Sequence, residues 1–125
     1  MAAEKNFENK VKKFLEEEGC YFIKTHGDRF SRIGTPDLII CCNGHFLGIE
    51  LKAPNGKPSE LQKHHIEEIK KAGGLAAVLY PKDFESFKHD IKELKKCKFS
   101  VKILIFQSKI KSKNSTITTL LHCFV

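Results

Sequence analysis

Three charged residues stand where a β-sheet should be driest. Asp37 directly precedes the apolar run Leu38–Cys42, and Glu50 and Lys52 fall inside the apolar run that follows Asn43-Gly44. Asn-Gly between two such runs is the strongest short-range signal for a two-residue hairpin. A turn that tight sets the register. Cys42 then faces His45 and, counting outward, Asp37 faces Glu50. Directly opposed residues hold their Cβ atoms roughly 4.5–5.5 Å apart, and Lys52, two residues beyond Glu50, points to the same face. A bulge at Gly48 would shift this pairing by one residue. Opposed carboxylates repel, so the pair needs a compensating positive charge. A shared proton would serve, and a divalent cation would serve better, since hard oxygen ligands suit Mg²⁺ or Mn²⁺. An ammonium beside that cation is placed to hold or help deprotonate an attacking water. The chemistry of such a group is metal-assisted in-line displacement at a phosphodiester. The competing reading is a salt bridge between Lys52 and the two acids at a sheet edge.

The elements that must position these residues are legible along the chain. Over residues 4–18, Phe7, Val11, Phe14 and Leu15 form one apolar helical stripe, with Gly19 as the residue that ends it. Cys20–Lys24 is aromatic and β-branched, hence strand-like, and 25–36 is a loop with two Gly, a Pro and two Arg. Strands are expected over Leu38–Cys42 and about His45–Lys52, then a loop over Ala53–Pro58. Ser59 with Gln62 three residues later has the form of a capping box, opening a helix that runs to about Ala72 before Gly73-Gly74. Residues 75–80 read as a buried strand. Asp83 is expected to cap a last helix reaching about Lys96, with Phe84, Phe87, Ile91 and Leu94 on one face. Strand–helix–strand implies parallel pairing, whereas the hairpin before it is antiparallel. The fold class is therefore α/β, a small mixed sheet with helices on both faces. Residues 99–125 partly alternate and end apolar. They form a C-terminal extension whose structure the sequence does not define.

The 125 residues fit one domain, placed here at 1–98. Twenty-two Lys and Arg against 15 Asp and Glu give a net charge of +7, the balance expected of a chain that meets polyanions, although it also suits an ordinary solvated surface. The five cysteines include no C-x-x-C pair, which argues for free thiols in a reducing, cytoplasmic setting and against a structural zinc site. The six histidines show no ligand spacing. The N-terminus MAAEKNFENK has no apolar core of a signal peptide, and no apolar run approaches the ~20 residues of a membrane span.

Pro36-Asp37 with Glu50-Leu51-Lys52 resembles the PD-(D/E)xK nuclease signature. The wider stretch GTPDLIICCNGHFLGIELKAPNGKPSELQ, followed by IKKAGGLAAVLYP, is similar to the VRR-type nuclease domain of that superfamily, especially its small stand-alone phage forms. The resemblance covers residues 4 to about 95 and implies a restriction-endonuclease-like αβββαβ core. It implies Asp37 and Glu50 as metal-binding acids, the carbonyl of Leu51 as a further ligand, and Lys52 as the catalytic lysine. It adds a glutamate of the first helix, which Glu8 matches by its spacing to Val11 and Gly19. Glu8 also falls beside Val11 and Leu15 on the inward face, with Glu4, one turn earlier, as the competing candidate. Gln62 carries two compatible readings, one as cap of its helix and one, from the family, at the rim of the catalytic site.

The expectation is a Mg²⁺-dependent DNA endonuclease, with Mn²⁺ as substitute and no organic cofactor. The resemblance suggests branched or junction DNA, and a symmetric junction would call for a C2 homodimer. Lys24, Arg29, Arg32 and Lys57 flank the hairpin and are the candidate phosphate contacts, which position DNA without reading its sequence. The alternatives are a flap or restriction-type nuclease, an RNase, or a DNA-binding module that has lost catalysis.

Overall fold

The computed structural model describes residues 2–26 and 32–96; Arg29 and the extension 99–125 lie outside them. The first helix, α1 (Ala2–Glu17), forms because Phe7, Val11, Phe14 and Leu15 share one side, and all four are buried. It stops at Gly19, whose φ of 72° lets its N–H donate to Glu16 O at 3.0 Å and the Cys20 N–H to Leu15 O at 2.9 Å. This is a Schellman ending. It consumes Cys20, so the first strand, β1, begins one residue later than expected and spans Tyr21–Lys24.

Strands β2 (Leu38–Cys42) and β3 (His45–Leu51) make the hairpin. Asn43 and Gly44 both have positive φ, 49° and 79°, the type I′ geometry whose twist matches the flanking strands. The register runs from Cys42↔His45 to Leu38↔Ile49 without a bulge, Gly48 pairing with Ile39. Gly48 has another purpose. A Cβ there would come 2.5 Å from Ile69 Cδ1 and 3.2 Å from Pro36 Cγ.

Ile69 belongs to α2 (Glu60–Lys71), which Ser59 and Gln62 open with a complete capping box. A second Schellman ending, with Gly73 at φ 93°, turns the chain into β4 (Leu75–Leu79). This strand pairs parallel with β3, from Leu47↔Leu75 to Leu51↔Leu79. The sheet order is β1-β2-β3-β4, the expected mixed sheet.

The last helix, α3 (Phe84–Lys96), does not begin with an Asp83 cap. Pro81–Asp83 is a 3₁₀ turn with Pro at its start. The ring of Pro81 presets a helical φ, so helical geometry begins before Asp83 and leaves it no capping position. The helices cover both faces. Leu38, Ile40, Cys42, Leu47, Ile49, Leu51 and Leu79 form one core with residues of α1 and α3, and α2 packs on β3 and β4 from the other side. Phe84 meets Phe7 and Phe14 edge-on at 5.7 and 6.0 Å, which joins α3 to α1. Among the described residues no helix is long and apolar enough to cross a membrane.

Ile91 of α3 is fully buried in this core. Ile91→Ala should lower stability by about 2–5 kcal/mol, read as a reduced urea midpoint with little change in slope.

Candidate active site

Asp37 stands one residue before β2 and Glu50 one residue beyond the last hairpin pair, Leu38↔Ile49. They face each other as the turn requires. Pro36 is fully buried, and Thr25 holds its carbonyl and that of Asp37. The Thr25 hydroxyl donates to Pro36 O at 2.7 Å, and its N–H to Asp37 O at 2.9 Å. The Asp37 carboxylate is therefore carried on a braced strand end. Its Oδ2 accepts the Leu51 N–H at 2.9 Å, and its Oδ1 accepts from Lys24 Nζ at 3.1 Å.

Glu50 is only 3% exposed. Its Oε1 accepts from Gln62 Nε2 at 2.6 Å and lies 3.4 Å from Lys52 Nζ. Its Oε2 is buried with no hydrogen-bond partner among the described residues. Burial, and after it the negative charge of Asp37, push the Glu50 carboxyl up from 4.5 to about 7, with Lys52 pulling the other way. A buried acceptor without a donor is costly, and a carboxylate oxygen left bare beside a second carboxylate is the natural seat of a hard cation. The residues present fit a divalent metal on this observation.

Gln62 serves two structures with one amide. Its Oε1 accepts the Ser59 N–H at 2.8 Å as part of the capping box. With the oxygen committed to the helix cap, the NH₂ group is left facing Glu50. The two sequence readings of Gln62 thus describe one hydrogen-bond chain, from helix start to site.

Glu8 reaches the site indirectly. Its Oε1 pairs with Lys12 at 2.6 Å and its Oε2 with Lys24 at 3.3 Å. Burial alone would raise the Glu8 carboxyl, but the two lysines outweigh it and hold the group below its ordinary value. Burial likewise opposes the charge on Lys24, and the Asp37 and Glu8 carboxylates more than reverse that effect. Among the described residues no three Asp, Glu, His or Cys side chains come close enough to hold a metal together. The expected trio of Glu8, Asp37 and Glu50 is instead a facing pair, with Glu8 connected to Asp37 through the Lys24 ammonium.

This also revises Lys24, read from sequence as a phosphate contact. Its ammonium is turned inward onto two acids. Arg32 and Lys57 are exposed, and Arg32 borders a groove with Phe46, His65 and Ile69. Two supports had no recognisable signal. One is Thr25, a polar residue in a loop full of them. The other is Tyr80, whose hydroxyl donates to Gly56 O at 3.0 Å and pins the loop after Lys52.

The raised Glu50 pKa has a definite sign in stability. The folded chain holds this proton more tightly than the unfolded one. The contribution is thus fully present below the ordinary value of 4.5 and is lost as pH rises through about 7. In EDTA, the thermal midpoint should fall between pH ~5 and ~8, and Glu50→Gln should flatten that slope. Circular dichroism melts of both chains across this range check it.

With the geometry established, comparison with known proteins places the chain. No match is found among curated proteins or among solved structures. The family model described as archaeal Holliday junction resolvase (Hjc), a family of the PD-(D/E)xK nuclease superfamily, matches residues 2–103. That span runs from α1 through the facing acids to beyond α3, and the chain belongs to this family.

Proposed function

We propose that the protein is a Mg²⁺-dependent endonuclease that cuts branched DNA, with four-way junctions as its preferred substrate. One atom carries the reading: Glu50 Oε2, buried and without a donor, opposite Asp37. Membership of a junction-resolvase family supplies the substrate class. The VRR-like sequence around both acids supports a small phage-type member of the superfamily, acting in the cytoplasm of a bacterial or phage-infected cell.

Asp37, Glu50 and the Leu51 carbonyl would hold the metal, and Glu8 is joined to Asp37 through Lys24. When bound, Mg²⁺ supplies Lewis-acid stabilisation of charge on the phosphate and lowers the pKa of a coordinated water. The chain's own groups do the rest. Lys52, within 3.4 Å of Glu50, would orient the attacking water and, by its positive charge, favour loss of the water's proton. Gln62 holds Glu50 Oε1 and so steadies the carboxylate that would bind the cation. The Leu51 N–H fixes the Asp37 carboxylate through Oδ2. Exposed Arg32 and Lys57 grip the DNA backbone, and Arg29, outside the described residues, is a further candidate from the sequence. The described residues of each chain hold one such site, and cutting both strands of a symmetric junction calls for a C2 homodimer.

The test uses labelled four-way junction, flap, duplex and single-stranded DNA, plus an RNA duplex, with Mg²⁺ or Mn²⁺ and an EDTA control. Metal-dependent cutting of the junction is expected, falling roughly 10²–10⁴-fold in Lys52→Ala. Tight junction binding with no cleavage under either metal would instead make the protein a DNA-binding module.

A further inference from the structure

Lys24 ends β1, where its register partner is Leu38, the neighbour of Asp37. From there its ammonium bridges Asp37 Oδ1 at 3.1 Å and Glu8 Oε2 at 3.3 Å. The other Asp37 oxygen is already taken by the Leu51 N–H at 2.9 Å. The facing acids are therefore unequal. Glu50 presents a bare oxygen, whereas the oxygen Asp37 would offer a cation is shared with a lysine. From this arrangement we infer that Lys24 is a built-in competitor for the metal: its ammonium and the divalent cation contend for Asp37 Oδ1, and the chain trades metal affinity for stability without metal. The inference rests on the metal-binding reading above, but concerns what regulates loading of the site rather than whether it cuts.

The physical case is electrostatic. Glu8 and Asp37 would repel each other across a partly buried gap, and Lys24, 26% exposed, neutralises that gap from inside the fold. A divalent ion on Asp37 does the same with twice the charge. The two cations repel at contact distance in a medium that screens less than water, so the ion cannot seat fully until the ammonium withdraws. Lys24 is long enough to do so without moving the strand, and a phosphate at the rim gives the released ammonium a new partner. This would reconcile its inward pose with a role in gripping DNA. A lysine that served only to pack would have no reason to weaken metal binding.

The test measures Mn²⁺ binding to the full chain by calorimetry without DNA, and thermal midpoints in EDTA and in Mn²⁺. Lys24→Met keeps the aliphatic bulk and removes the charge. It should bind Mn²⁺ roughly ten- to a hundredfold more tightly than wild type, melt lower in EDTA, and show a wider gap between the two midpoints. Lys24→Arg, which keeps the charge, should resemble wild type in both. Lys24→Gln, which can still donate to Asp37, carries the test if the Met variant does not fold. Equal or weaker Mn²⁺ binding by the neutral variants, with wild type binding normally, overturns the competition and leaves the nuclease reading intact. A wild-type chain that binds no Mn²⁺ overturns both.

Discussion

Two carboxylates forced to face each other at the open end of a hairpin, one of them buried, are the constraint around which this protein is organised. Repulsion between Asp37 and Glu50, and the lost hydration of a group only 3% exposed, both oppose folding. What surrounds the pair offsets this in pieces. A backbone N–H from Leu51 and an ammonium from Lys24 hold Asp37. An amide from Gln62 and an ammonium from Lys52 hold one oxygen of Glu50. The second Glu50 oxygen has no donor among the described residues.

The supports come from elements that have other duties. Gln62 is there to start α2, and the same amide that completes its capping box steadies Glu50. The helix start is thus mechanically coupled to the site. Gly48 sits in the middle of β3, where glycine weakens a strand. It is tolerated because Ile69 of α2 and Pro36 pack where its side chain would be. That close approach sets α2 against β3 and brings Gln62 within reach of Glu50, while Pro36 fixes the strand end that carries Asp37.

Family membership and local geometry contribute different things. A match over residues 2–103 gives the class of chemistry. It does not say how the charges in this chain are balanced. Here α1 meets the site through a lysine rather than through a third converging acid, a feature of side-chain placement in this molecule.

The helices, the hairpin and the facing acids are legible in the chain itself, because each rests on interactions between near neighbours. The Phe7–Leu15 stripe repeats at helical spacing. Asn43-Gly44 admits few turn types and counts the strands into register. Ser59 and Gln62 cap within one turn. Arg29 and the extension 99–125 fall outside the described residues. Only the tertiary structure decided where the long side chains ended. Lys24 meets Glu8 and Asp37 across 16 and 13 positions, Gln62 meets Glu50 across 12, and Thr25 braces Pro36 across 11. A lysine stem can point its ammonium outward to solvent or inward to a carboxylate at little conformational cost. Which way it points depends on charges brought together by packing α1 and the β1 end around the same acids. No pattern within a window of the chain encodes that choice.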